Sequence, residues 1–126
     1  MLWAIDGGRL KQIEDIPHQD NYSRLLSSLS KKEYEDIYET LNNKIETNEV
    51  HTSSWMPGHN WNGTVYEPIY TKAANHNREL SGLLFGIIVW VIMMERDDHW
   101  SFGRYKKGDV DIKGMTYFKI NNPNDI

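Results

Sequence analysis

The chain has 126 residues, 39% hydrophobic and 25% charged, with four prolines, no cysteine and a formal net charge of −4. That length allows one domain, 1–126, to bury roughly two thirds of its unfolded surface without covalent staples, and the composition excludes a disordered chain. The lack of cysteine excludes disulfides, thiolate nucleophiles, zinc ribbons and iron–sulfur clusters, leaving His and carboxylates as the available metal ligands.

Charge is uneven, with six basic and ten acidic groups in 1–50 and eight of each in 51–126. An acidic balance gives no general attraction for phosphate backbones. The cluster Arg104, Lys106, Lys107, Lys113, Lys119 is diluted by Asp109 and Asp111, so nucleic acid is not an expected partner. The opening MLWAIDGGRL has no basic region followed by an apolar run, which predicts a cytoplasmic protein without a secretory signal.

In chain order, the stretches LWAI and RLKQI flank Asp6, Gly7 and Gly8, which predicts a β-hairpin. After Pro17, the run NYSRLLSSL predicts a short helix. A capping box, Ser30 with Glu33, opens a clearer one to about Thr47 whose apolar face is Tyr34, Ile37, Tyr38, Leu41 and Ile45. Residues 48–63 show no apolar period and predict a long loop, ordered through Trp55, Met56 and Trp61. A second capping box, Thr64 with Glu67, predicts a short helix to about Ala74, and NHN (75–77) predicts a corner with Asn77 capping the next helix.

That helix, from Arg78 to about Arg96, contains SGLLFGIIVWVIMM (81–94), apolar on every side. It falls short of the roughly twenty residues that span a bilayer and is flanked by charge, so it is expected to be a buried helix with no membrane partner. Gly82 and Gly86, four apart, predict close approach of another element. One chain offers barely enough cover for so apolar a helix, so a homodimer is expected to complete it. Beyond it, alternation in 100–105, a turn-rich KKGDVDIKG and a strand MTYFKI predict a closing β-hairpin or meander that joins the opening hairpin in one sheet. The fold class is therefore α+β: N-terminal β-hairpin, amphipathic helix, long ordered loop, central apolar helix and C-terminal β-hairpin or meander.

Four of five histidines and four of five tryptophans fall between His51 and Trp100. The expected function is that of a small soluble binding protein without a cofactor, its site formed by loop 51–63 and segment 95–105. Trp55, Trp61, Trp100 and Tyr105 supply flat faces for stacking, while Arg104, His51, His59 and His99 hold a phosphate, a carboxylate or an acidic side chain. The expected partner is a small anionic or aromatic ligand or a protein. The competing structural role for the same tryptophans is to plug the core around the apolar helix, and Trp3 and Trp90 are assigned to it.

Other chemistries have weaker sequence support. Metal binding could draw on His51, His59, Glu95, Asp97, Asp98 and His99, but no HExxH, HxH or EF-hand loop occurs, and no metal is expected. A small enzyme would use one of those histidines with Glu95, Asp97 or Asp98. Ser53, Ser54 and Ser101 are candidate nucleophiles without a GxSxG, and Glu67 with Glu95 or Asp97 a candidate carboxylate pair. An inhibitor or immunity-type factor would act through the acidic front half. Glu95, Asp97 and Asp98 stand where the helix dipole disfavours negative charge, which predicts relief by Arg96, Arg104 or a cation.

The blocks GTVYEPIY (63–70) and HWSFGRY (99–105) resemble parts of small bacterial or mobile-element proteins with no assigned activity. The resemblance implies an accessory gene product and carries over no functional residue.

Overall fold

A computed structural model describes residues 1–58 and 60–125. The opening hairpin forms as predicted, β1 (Leu2–Asp6) pairing antiparallel with β2 (Arg9–Gln12). At the turn Gly7 and Gly8 take φ of 55° and 80°, the left-handed conformation that a two-residue hairpin turn of this hand requires.

Two helices follow, α1 (Gln19–Ser28) and α2 (Lys31–Ile45). The predicted capping box is complete: the Glu33 amide donates to Ser30 Oγ at 3.0 Å and the Ser30 amide to Glu33 Oε1 at 2.9 Å. On the predicted apolar face Ile37, Leu41 and Ile45 are fully buried, whereas Tyr34 and Tyr38 are half-buried.

The start of the predicted loop is ordered more regularly than its sequence suggests. β3 (Val50–Thr52) runs into a 3-10 turn, Ser53–Trp55. Three residues are too few to display a period of two, so this strand is defined by its partner rather than by its own pattern. Downstream, the second predicted capping box is corrected. Thr64 Oγ1 accepts from the Tyr66 amide at 3.2 Å and Glu67 Oε2 from the Gly63 amide at 3.1 Å. Pro68 brings no amide donor to the first helical turn, and the chain closes instead into a π-helical turn, Ile69–Ala73. Asn75 and His76, both at positive φ, make the predicted corner.

α3 (Arg78–Glu95) starts at Asn77, whose Oδ1 accepts from the Leu80 amide at 3.0 Å. Leu84, Ile88, Ile92 and Met93 are fully buried, and no described helix is long and apolar enough to cross a membrane. The expected close approach at Gly82 and Gly86 is overturned, because a Cβ on either would meet nothing within 4 Å. Both belong to a stripe left partly open, where Leu83 is 37% exposed.

The tail supplies β4 (His99–Gly103), a two-stranded ribbon of β5 (Lys106–Lys107) and β6 (Val110–Asp111), and β7 (Thr116–Ile120). Opening and closing strands join in one mixed sheet of order β2-β1-β4-β7-β3, with β1 and β4 parallel and the other pairs antiparallel. Cross-strand register places Leu2 beside Trp100, and Phe102 beside Tyr117 and thence His51, all on one sheet face. That face packs on α3: Trp90 meets Phe102 edge-on at 4.8 Å, and Leu2, Trp100 and Tyr117 belong to the same buried cluster as the helix residues.

Candidate functional site

Because β3 and β4 flank β7 and both run against it, they leave the sheet at the same end. Thr52, Thr116 and Gly103 are neighbours across the three strands, and the Thr52 and Thr116 hydroxyls are 2.9 Å apart. Past this row the 3-10 turn carries Trp55 and the other strand continues into Arg104 and Tyr105. Two strand spacings, about 10 Å, separate the exits. The turn is anchored to the segment before β7: Ser54 Oγ donates to the Lys113 carbonyl, and the Met115 amide donates to Ser53 Oγ at 3.1 Å. Gly114 permits this contact, with φ of 82° and a position where a Cβ would stand 2.7 Å from Ser53 Oγ.

Trp55 is 61% exposed and Tyr105 46%. Arg104 is exposed as well. Among the described residues, no hydrogen bond or ion pair holds any of these three side chains; the Tyr105 ring leans on Phe118 at 6.3 Å. Arg104 therefore does not serve Asp97 or Asp98. Burial raises the Tyr117 phenol, and the charge of Arg104 opposes that shift.

Four of the remaining residues expected to bind, His51, Trp61, His99 and Trp100, are engaged within the fold. His51 is 8% exposed, and its Nε2 donates to the Ile45 carbonyl at 2.9 Å and the Asn48 carbonyl at 3.1 Å, so the ring closes the C-terminus of α2. Trp100, 1% exposed, sits 5.9 Å from the His51 ring and donates its indole N–H to Asp98 Oδ1 at 2.8 Å. His99 Nδ1 accepts from the Trp3 indole at 3.0 Å, which fixes its proton on Nε2 when neutral. Trp61 is half-buried against Tyr66 and Phe85. His59 lies outside the described residues.

The helix end beyond α3 is organised by Arg96, the first of the three relief routes predicted there. Its side chain is 7% exposed and makes two 2.8 Å bonds to Asp98, one of 2.6 Å to Glu46 and one of 2.5 Å to Asn42 Oδ1. Burial alone would raise the Asp98 carboxyl, but the bonds from Arg96 and Trp100 and the charges of Arg96 and Lys119 hold it down at about 2.

Two grooves run along α2. One, about 400 Å³, is lined by Tyr38, Asn42, Glu46 and the residues Glu95 to Asp98. The other, about 730 Å³, is lined by Leu26, Leu29, Tyr34, Glu35 and Glu39 among others, and shares Tyr38 and Asn42 with the first. Tyr38 donates to Glu95 Oε1 at 3.3 Å, and its phenol is pushed up to about 12 by burial and by Glu95. These residues were missed as surface because Tyr34 and Tyr38 fit the apolar row of α2. Two tyrosines four apart, each with a hydroxyl needing a partner, were the available sign of a half-open face.

The catalytic alternatives find little geometry. Among the described residues no histidine is hydrogen-bonded to a carboxylate, and no three His, Asp or Glu side chains converge as metal ligands. Ser101 Oγ is bonded to the Trp3 carbonyl at 2.8 Å, and Ser53 and Ser54 hold the 3-10 turn as described.

Set against protein-family models, curated proteins and solved structures, the chain matches none.

Proposed function

We propose that this is a small binding protein whose recognition surface is the sheet end bearing Trp55, Arg104 and Tyr105. The observation that carries the reading is that the strand order brings one part of each predicted segment, 53–55 and 104–105, to the same end of the sheet. There, three of the predicted residues are exposed and, among the described residues, held by no internal hydrogen bond or ion pair, while His51, Trp61, His99 and Trp100 are engaged in the fold. Two flat aromatic faces near an uncommitted guanidinium suit a carboxylate-bearing partner with planar groups beside the charge. Both described grooves lie along α2, away from this end, which favours the acidic surface of a protein over an enclosed small molecule. The reading includes a cytoplasmic setting, where a cysteine-free chain needs no oxidising environment.

Titration with a synthetic peptide of alternating Glu and Tyr, read by tryptophan fluorescence, tests the proposal. A saturable change that weakens with salt and is lost in both Trp55→Ala and Arg104→Ala is expected. An unaltered titration in the two variants, or none in the wild type, would count against it.

A further inference from the structure

We infer that a second copy of this chain is an acidic partner of that surface, the β5–β6 ribbon of one copy docking in the α2 grooves of the next. The inference rests on the recognition surface proposed above, since Arg104 and Tyr105 form the root of the ribbon.

The ribbon is the least supported element of the fold. It forms its own two-stranded sheet, and Lys106, Lys107, Val110 and Asp111 are all exposed, Val110 at 71%. Its internal ties are strand pairing, an Ile112 amide bond to the Tyr105 carbonyl at 2.9 Å and a loose 3.9 Å pair between Lys106 and Asp111. An isolated two-stranded ribbon is marginal in water, so an apolar side chain at its tip favours a docking partner.

The grooves complement it in both charge and polarity. Residues 104–113 carry four basic and two acidic groups. Of the six acidic groups in the groove linings, Glu46 and Asp98 are paired with Arg96 and Glu35 lies 3.8 Å from Lys31, which leaves Glu39, Glu95 and Asp97 without an ion pair among the described residues. Beside these acids the grooves offer apolar surface, with Leu26 43% exposed and the half-buried rings of Tyr34 and Tyr38. Val110 fits the apolar part while Lys106 and Lys107 face Glu95 and Asp97.

One copy cannot make this contact with itself. The acidic groove adjoins the start of β4 and the ribbon follows its end, about 15 Å apart along five extended residues. The contact joins two different surfaces, so it is head-to-tail and propagates into chains or rings.

Sedimentation velocity of the whole chain and two neutralised variants decides the matter. Lys106→Gln/Lys107→Gln/Val110→Ser removes the ribbon's contribution, and Glu46→Gln/Glu95→Gln/Asp97→Asn removes the groove's. The wild type is expected to form concentration-dependent species beyond the monomer that dissociate as salt rises from about 0.01 M to about 1 M, where the screening length falls from about 30 Å to about 3 Å. Each variant alone is expected to be monomeric. Their equimolar mixture is expected to form a heterodimer and nothing larger, because one intact ribbon meets one intact groove; that product also shows both variants folded. A wild type that stays monomeric, variants that associate like the wild type, or a mixture that stays monomeric would each overturn the inference. If the monomeric groove variant still binds the Glu/Tyr peptide, such a failure leaves the recognition surface standing. Loss of peptide binding as well would remove both.

Discussion

Arg96 and Asp98 face each other across two parallel hydrogen bonds of 2.8 Å, and Asp98 in turn receives the indole N–H of Trp100. The first residue beyond α3 is thereby tied to the second residue of β4, with α2 drawn in through Asn42 and Glu46. Removing the buried guanidinium leaves the Asp98 carboxylate, 23% exposed, without its charge partner. Arg96→Ala is expected to lower unfolding free energy by about 2 to 4 kcal/mol, at the lower end because Asp98 and Glu46 reach water. Urea denaturation measures it, and a loss below about 1 kcal/mol would show that the network is loosely held.

The depressed Asp98 carboxyl makes stability depend on pH in a defined direction. The folded value of about 2 lies below the ordinary aspartate value of 3.8, so this group stabilises the fold fully above the higher value and loses its contribution as pH falls towards 2. Allowing for partial exposure, the amount is about 1 to 2 kcal/mol. Stability measured from pH 6 to about pH 2 should fall less steeply in Asp98→Asn than in the wild type; parallel curves would contradict the assignment.

Gly82 is exposed, lies inside α3 and has open space where a Cβ would stand. Gly82→Ala is therefore expected to stabilise the protein by about 0.5 to 1 kcal/mol through helix propensity and reduced freedom of the unfolded chain. Thermal unfolding should show a higher midpoint, whereas a lower one would mean that something packs on this stripe, as a second copy would.

His51→Ala leaves the carbonyls of Ile45 and Asn48 without their donor. Its expected loss is about 1 to 3 kcal/mol of stability. In peptide titration this variant should match the wild type once folded, in contrast to Arg104→Ala, which should show no saturable change while its stability changes by less than about 0.5 kcal/mol.

The helices were legible because their signals are local. Ser30 and Glu33 satisfy each other within one turn, Asn77 caps within three residues, and Ile37, Leu41 and Ile45 repeat at helical spacing. β3 was not, since its three residues take their identity from Thr116 to Phe118, more than sixty positions away. The tryptophans divide for the same reason. Trp55 and Trp100 stand in equally polar sequence, yet Trp100 lies beside Leu2 in the register of a parallel strand pair and is buried, while Trp55 sits beyond the end of β3 in an exposed turn. Gly82 and Gly86 misled because a glycine pair at helical spacing does not reveal whether the face it opens meets protein or water.

The most direct test is to follow the indole N–H resonances by NMR while the Glu/Tyr peptide is added to the monomeric groove variant. Three indoles have internal acceptors: Trp3 with His99, Trp90 with the Asp15 carbonyl and Trp100 with Asp98. The Trp55 indole and the backbone amides of 53–55 and 104–105 should shift progressively while those three hold still. Shifts concentrated on Tyr34 and Tyr38 along α2, or none at Trp55 under saturating peptide, would contradict recognition at the sheet end.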